Sequence, residues 1–123
     1  MDAADVSVAK TSTVISDPFN GTTNPKAIPG AVVEYCIVVT NAAGATATDI
    51  NISDDFSSEA ATLEFAPDEY ATGGDIMVDG DGSCTGGTSV DASYTTSTTT
   101  VSSALSDIAG GSAGSLRFRV TIR

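Results

Sequence analysis

The chain has 123 residues, of which 41% are hydrophobic and 6% aromatic, and it contains no Trp and no His. Sixteen acidic residues against five basic ones give a net charge of −11, so most of the surface would repel a nucleic-acid backbone or an anionic membrane. The longest apolar run is far shorter than the ~20 residues that a membrane-spanning helix needs. We therefore predict a single domain, 1–123, with no nucleic-acid partner and no membrane insertion.

Alternating apolar residues predict a serial arrangement of β-strands. The first strand is predicted over about 5–14, and Lys10 on this strand is interpreted as a surface or rim residue. The loop that follows, 17–26, is dense in turn formers, and Asn20-Gly21 is its strongest tight-turn signal. These features indicate a strand and a long connection before the next strand begins.

The second strand follows the turn Pro29-Gly30 and is the longest β-type run in the chain. Residues at period two predict a core face on one side, namely Val33, Tyr35, Ile37 and Val39. The opposite face is mixed, because Glu34 and Cys36 lie there beside valines. Such a face is typical of a strand whose outer side is partly covered by a loop.

The remaining strands are shorter until the last one. A third strand is predicted over about 46–54, and weaker signals follow at 63–65, 76–78, 89–94 and 98–105. The last strand is regular, with Leu116, Phe118, Val120 and Ile122 inward and Arg117, Arg119, Thr121 and Arg123 outward. Seven to nine short strands predict an all-β fold, specifically an immunoglobulin-like Greek-key β-sandwich.

A local pattern in the first half of the chain is more specific. Pro29-Gly30 precedes a tyrosine-bearing strand that closes on Thr40-Asn41, and a small-residue turn then leads to a strand ending at Asp54. This pattern resembles the DUF11 family of bacterial and archaeal surface proteins, and the similarity spans roughly 5–123. The family usually continues with a Leu-Pro pair, where this chain has Asp55-Phe56. The resemblance implies a cell-surface location and a structural role.

The two cysteines, Cys36 and Cys84, are the best candidates for a covalent cross-link. Cys36 is expected to point away from the core, and Cys84 lies in a Gly-rich loop able to reach across the outer face of the second strand. In an oxidising compartment this arrangement predicts a disulfide, whereas in the cytosol both would remain thiols. Their spacing does not fit a metal-binding set.

An acidic, glycine-rich segment raises the question of a metal ion. Asp75, Asp79 and Asp81 lie near Gly80 and Gly82, and calcium prefers such oxygen ligands on a loop. The EF-hand pattern is incomplete, because no Glu stands at the twelfth loop position. A solvated acidic loop with no cofactor is the favoured interpretation, and a calcium site is the alternative.

Catalysis finds little support in the sequence. The chain lacks His, a phosphate-binding glycine motif between a strand and a helix, and a zinc-ligand set. We therefore predict a non-enzymatic, secreted structural module, such as a subunit of an extracellular filament, stalk or sheath. The alternative is an adhesin-type module that binds carbohydrate or calcium through its loops.

Three basic residues crowd into the last strand, namely Arg117, Arg119 and Arg123. On an acidic protein this strand can pair within the molecule or with a neighbour. We expect self-association through strand edges, in which the arginines meet an acidic patch such as Asp54-Asp55 or Asp68-Glu69 on another copy. Repetition without closure makes a filament, while the rival is a monomer whose termini lie in its own sheet.

Overall fold

The protein is built from antiparallel strands in the computed structural model. The structure describes residues 6–42, 44–55, 62–66, 76–79, 84, 88–90, 93–95, 100–105 and 107–123. Over these residues the chain is all-β and has no helix, so none that crosses a membrane is found among them. The strands are β1 Val6–Ser16, β2 Val32–Asn41, β3 Ile50–Asp55, β4 Leu63–Phe65, β5 Ile76–Asp79, β6 Thr88–Val90, β7 Ser93–Thr95, β8 Thr100–Leu105 and β9 Ala113–Ile122.

The strands form two antiparallel sheets. The larger sheet has the order β1-β2-β9-β5-β6, with β4 also paired to β9, and the smaller has the order β3-β8-β7. The last strand, β9, is hydrogen-bonded to β2 on one side and to β5 and β4 on the other. β9 is therefore a central strand of the larger sheet. The self-association through strand edges that we expected from the sequence would need a strand with an unpaired edge. Among the described residues, β1 pairs with β2 alone and β3 with β8 alone.

One hydrophobic core is shared by both sheets. β2 and β9 supply its centre, where Leu116, Phe118 and Val120 are fully buried. Other core members come from β2, β3, β4, β5 and β8, among them Ile37, Val39, Ile52, Leu63, Ile76, Val101 and Leu105. Tyr35 and Ile50 are partly buried against this cluster. The inward faces predicted for β2 and β9 are confirmed, because their residues belong to this core cluster or pack against it.

Asn41, at the end of β2, ties two loops together. Its side-chain Nδ2 donates hydrogen bonds to the carbonyl oxygens of Ala45, at 2.6 Å, and of Ile108, at 3.0 Å. Its backbone exchanges hydrogen bonds with the turn before β9, donating to Ser112 and accepting from Gly111. Asn41 is fully buried, so an amide is needed there to satisfy carbonyl groups that water does not reach.

The turn at Gly30 places two distant parts of the backbone in close contact. Gly30 has a φ of +89°, and a Cβ added to it would lie 2.6 Å from Cγ of Pro18. Its amide donates a hydrogen bond of 2.7 Å to the carbonyl of Ile122, next to the last residue of the chain. Glycine is required here because it has no Cβ and tolerates positive φ.

Candidate functional site

Cys36 and Cys84 form a disulfide on the outer face of the larger sheet. Their Cα atoms lie 6.0 Å apart, and 48 positions separate them in the sequence. Cys36 is buried but lies outside the shared core, in register with Arg117 of β9. Cys84 is partly exposed, with a φ of 61°. This pairing agrees with the sequence prediction, because odd and even positions of β2 face opposite sides of the sheet.

Arg117 and Arg119 share one partner within the chain, Glu34. Nε of Arg119 lies 3.1 Å from Oε2 of Glu34, and Nη1 of Arg117 lies 3.5 Å from Oε1. The pairing follows from the β2–β9 register, in which Glu34 is opposite Arg119 and Cys36 opposite Arg117. The three charged side chains are at most 22% exposed. The outer face of the larger sheet is therefore largely shielded from water here, and two guanidinium groups share one carboxylate.

This ion cluster bears on the expected contact with a neighbouring copy. Arg117 and Arg119 pair with Glu34 of their own chain. Pairing within the molecule was the other alternative that the sequence left open. Withdrawing them would leave the largely buried carboxylate of Glu34 without these cations, which is costly. Arg123 is exposed, so the contact with a neighbour stays a prediction that rests on this residue.

The proposed calcium ligands fall mainly outside the described residues. Asp75 and Asp81 lie there, as does the acidic pair Asp68-Glu69, and Asp79 ends β5 opposite Ser115. In the part of the chain that the structure describes, no three His, Cys, Asp or Glu residues form a group able to hold a metal ion. The calcium site stays a prediction.

Asp17 organises the loop after β1. Its Oδ1 accepts hydrogen bonds from the backbone N–H groups of Phe19 and Asn20, both at 2.7 Å. Its Oδ2 accepts one from the Asn20 side chain at 2.9 Å and one from the Lys26 backbone at 2.6 Å. Asp17 and Gly21 also exchange two backbone hydrogen bonds, which confirms the predicted tight turn. The ring of Phe19 is held outward on this loop and is 86% exposed.

The hydrogen bonds to Asp17 stabilise its ionised form. The Asn20 side-chain amide contributes most and holds the pKa of the Asp17 carboxyl well below its usual range. Burial acts in the opposite direction, because it disfavours the charged form. The backbone N–H groups of Lys26, Asn20 and Phe19 lower the pKa further. The loop is therefore built around a carboxylate.

A groove opens between β1 and β3, the end strands of the two sheets, and is called here the β1–β3 groove. Its volume is about 340 Å³. Val6, Val8 and Lys10 of β1 line one wall, and residues 50–54 of β3 line the other. Ile37 and Val39 of β2 also line the groove. Most of these side chains are apolar, so the groove offers a surface that water does not solvate well.

One ion pair spans the β1–β3 groove. Nζ of Lys10 lies 2.7 Å from Oδ2 of Asp54, and also 4.4 Å from the centre of the Tyr35 ring. The Lys10 side chain is 41% exposed and that of Asp54 is 13% exposed. The interpretation of Lys10 as a rim residue is therefore confirmed. Asp54, expected in a patch for a neighbouring copy, is engaged by Lys10 of its own chain.

Two valines of β1 are exposed although they lie on the inner side of the sheet. Val8 is 65% exposed and Val6 is 44% exposed, whereas Val39, the register partner of Val8, is 2% exposed. The cause is that the smaller sheet ends at β3, so no described strand covers this part of β1. Sequence reasoning missed this feature. The sequence did contain a signal for it, because Lys10 lies on the same face of β1 as Val6 and Val8. A lysine on an inner face indicates that this face reaches solvent.

No protein-family model matches the chain, and no curated protein matches it either. The resemblance to the DUF11 family, drawn from the pattern over 29–54, therefore stays a sequence-based prediction. The geometry offers two distinct surfaces, an outer face held by the disulfide and the Glu34 cluster and an inner groove left open between β1 and β3.

Proposed function

We propose that this protein is a secreted structural module of the cell surface that associates with copies of itself, as a subunit of an extracellular filament, stalk or sheath. The observation that carries the proposal is the Cys36–Cys84 disulfide on an all-β fold. Disulfides persist in oxidising compartments and are rare in the cytosol. The bridge therefore supports a location outside the cytosol. The proposed role is non-catalytic, in keeping with a chain that has no His.

The arrangement of the sheets supports a finer description of the fold. Two antiparallel sheets contribute to one hydrophobic core, which is the architecture of a β-sandwich. We propose the immunoglobulin-like Greek-key type, which the short strands and their spacing favour. The resemblance to the DUF11 family supports the same fold and the same surface location.

Self-association is supported by the ends of the two sheets. A closed barrel has no unpaired strand edge, whereas an open sheet presents backbone N–H and C=O groups along its end strands. Here β1 and β3 each have a single partner among the described residues. Proteins that remain monomeric usually protect such edges with charges, proline or a short strand. β1 is 11 residues long, its first eight residues are exposed, and Lys10 is the one charged residue along it.

The test is the state of assembly of the purified, oxidised protein. Sedimentation velocity and negative-stain electron microscopy are carried out at several protein concentrations. We expect the sedimentation coefficient to rise with concentration and extended particles to form. A strictly monomeric protein at every concentration would contradict the proposed self-association.

An adhesin-type binding module is a second candidate, and the exposed ring of Phe19 favours it. The ring is 86% exposed on a loop that Asp17 holds in place, and aromatic rings in polar loops provide flat apolar surface for ligands. Glycan-array binding by the wild type that is lost in Phe19→Ala would support this candidate. Equal signals from both proteins would argue against a site at this loop.

A further inference from the structure

We propose that the surface formed by β1, β3 and the groove between them binds β1 of a second copy of this chain. The inference rests on the proposed self-association and names the surface responsible for it. It differs from the contact expected from the sequence, because it uses the first strand of the chain and apolar side chains in place of the C-terminal arginines.

The exposed valines of β1 provide the first argument. Val6 and Val8 lie on the same side of the larger sheet as the buried Val39. These valines are 44% and 65% exposed, and no described strand covers this part of β1. A strand placed beside β3 would extend the smaller sheet over β1, because stacked sheets are spaced by ~10 Å. Such a strand would remove both valines from water.

The outer edges of β1 and β3, for which no partner strand is found among the described residues, provide the second argument. β1 and β3 end their sheets on the same side of the protein, since residues of both line one groove. An incoming strand can therefore form backbone hydrogen bonds at an edge while its side chains enter the groove. This combination is β-strand addition, in which the main chain supplies affinity and alternate side chains supply specificity.

The distribution of charge identifies the incoming strand. The protein carries a net charge of −11, so most of its segments would be repelled by another copy. Lys10 is the one charged residue in the sequence of Val6–Ser16, and it is positive. Asp54 of the receiving groove is already paired with Lys10 of its own chain, so the attraction comes from the acidic protein as a whole. β1 thus combines alternating apolar side chains with the charge that an acidic partner accepts.

The size of the contact sets its strength. A strand of 11 residues is about 36 Å long and covers about 400 Å² per partner at a width of ~10 Å. Stable complexes bury about 800 Å² per partner. The contact between two copies is therefore weak and depends on protein concentration.

The experiment compares the wild type with Val8→Lys and with the control Phe19→Lys. Both variants add a lysine at an exposed hydrophobic residue, but Phe19 lies in the loop after β1, outside the groove. Sedimentation velocity is measured from about 5 μM to about 1 mM, the range in which a small interface associates. We expect association at least about tenfold weaker for Val8→Lys, since it replaces an apolar side chain that the contact buries with a charged one and places a second lysine beside Lys10 on the same face. Phe19→Lys should match the wild type.

Each outcome separates this proposal from the proposed function. Association of the wild type that is equal in Val8→Lys would overturn the β1 surface and leave self-association intact. A wild type that remains monomeric throughout would overturn both. Should Val8→Lys lose its β-type circular dichroism, hydrogen exchange of the wild type decides the matter. Peptides covering Val6–Ser16 should gain protection in the concentrated sample, and unchanged exchange there would contradict the proposal.

Discussion

Lys10 of β1 and Asp54 of β3 form an ion pair, with 2.7 Å between Nζ and Oδ2, that joins the end strands of the two sheets. Apart from this pair, the open side of the protein is lined largely by apolar side chains of the groove. The lysine is 41% exposed, so water and salt weaken the attraction. The ion pair therefore contributes only modestly to holding β1 and β3 together.

A double-mutant cycle measures the coupling energy between Lys10 and Asp54. We expect Lys10→Met and Asp54→Asn to show a coupling of about 0.2–1 kcal/mol in the free energy of unfolding in urea, typical of a partly exposed pair. The coupling should decrease in about 1 M salt, where the Debye length is ~3 Å. The control is Lys26→Met, at an exposed lysine, which should not couple to Asp54→Asn. A coupling of several kcal/mol that is insensitive to salt would contradict this account.

Removal of the disulfide is expected to lower stability substantially. The bridge joins cysteines 48 positions apart in the sequence, and restriction of the unfolded chain by such a loop contributes about 4 kcal/mol before native-state strain is subtracted. Urea unfolding of the Cys36→Ala, Cys84→Ala protein and of the reduced wild type should show similar losses. Titration of the denatured, unreduced wild type should detect almost no reactive thiol. Close to two thiols per chain would show that the bridge does not form in solution.

Two phenylalanines allow the stability effect of truncating a buried ring to be compared with that of truncating an exposed one. Phe118 is fully buried and Phe19 is 86% exposed. Phe118→Ala should reduce the free energy of unfolding by about 3–5 kcal/mol, because it removes a buried ring and leaves a cavity. Phe19→Ala should change it by less than about 0.5 kcal/mol. Equal effects in urea unfolding would mean that the assigned faces of β9 are incorrect.

The cost of the close contact between Gly30 and Pro18 can be measured separately from the cost of the positive φ at Gly30. Gly30→Ala introduces a Cβ at a φ of +89° and 2.6 Å from Cγ of Pro18, whereas Gly111→Ala introduces one at +78° with nothing within 4 Å. The positive φ costs each variant about 1–2 kcal/mol. We expect the larger loss of thermal stability for Gly30→Ala, and partial recovery when Pro18→Ala is added. Equal losses for the two glycines would show that the contact with Pro18 carries no penalty.

The carboxylate of Asp17 should make stability depend on pH. Its pKa is lowered in the folded protein from the ordinary value of 3.8, so its contribution is fully present above about pH 4 and is lost as the pH falls through the folded-state pKa. Asp17→Asn should therefore be less stable than the wild type near pH 7, and the difference should shrink in acid. Asp107→Asn, at an exposed position, controls for the loss of one negative charge. A difference that is constant with pH would contradict this role.

The sequence by itself determined most of the strands, the inward faces of β2 and β9 and the outward position of Cys36. The segment predicted as one strand over about 89–94 instead forms β6 and β7, which belong to different sheets. Alternation at period two is a local property, so the inward position of Phe118 and the outward position of Cys36 could be predicted without knowledge of any neighbouring strand. The turns at Asn20-Gly21 and Pro29-Gly30 were likewise local, because their residues adopt the required backbone angles on their own.

Only the tertiary structure decided which strands are neighbours. Glu34 meets Arg119 because β2 pairs with β9, and Lys10 meets Asp54 because β1 and β3 line the same groove. Val8 is exposed because no described strand lies beyond β3 in the smaller sheet. Strand pairing is formed by backbone N–H and C=O groups that nearly every residue carries alike. The spacing of side chains along one strand therefore contains little information about its partner, and the open groove arises from the pairing of residues that are distant in sequence.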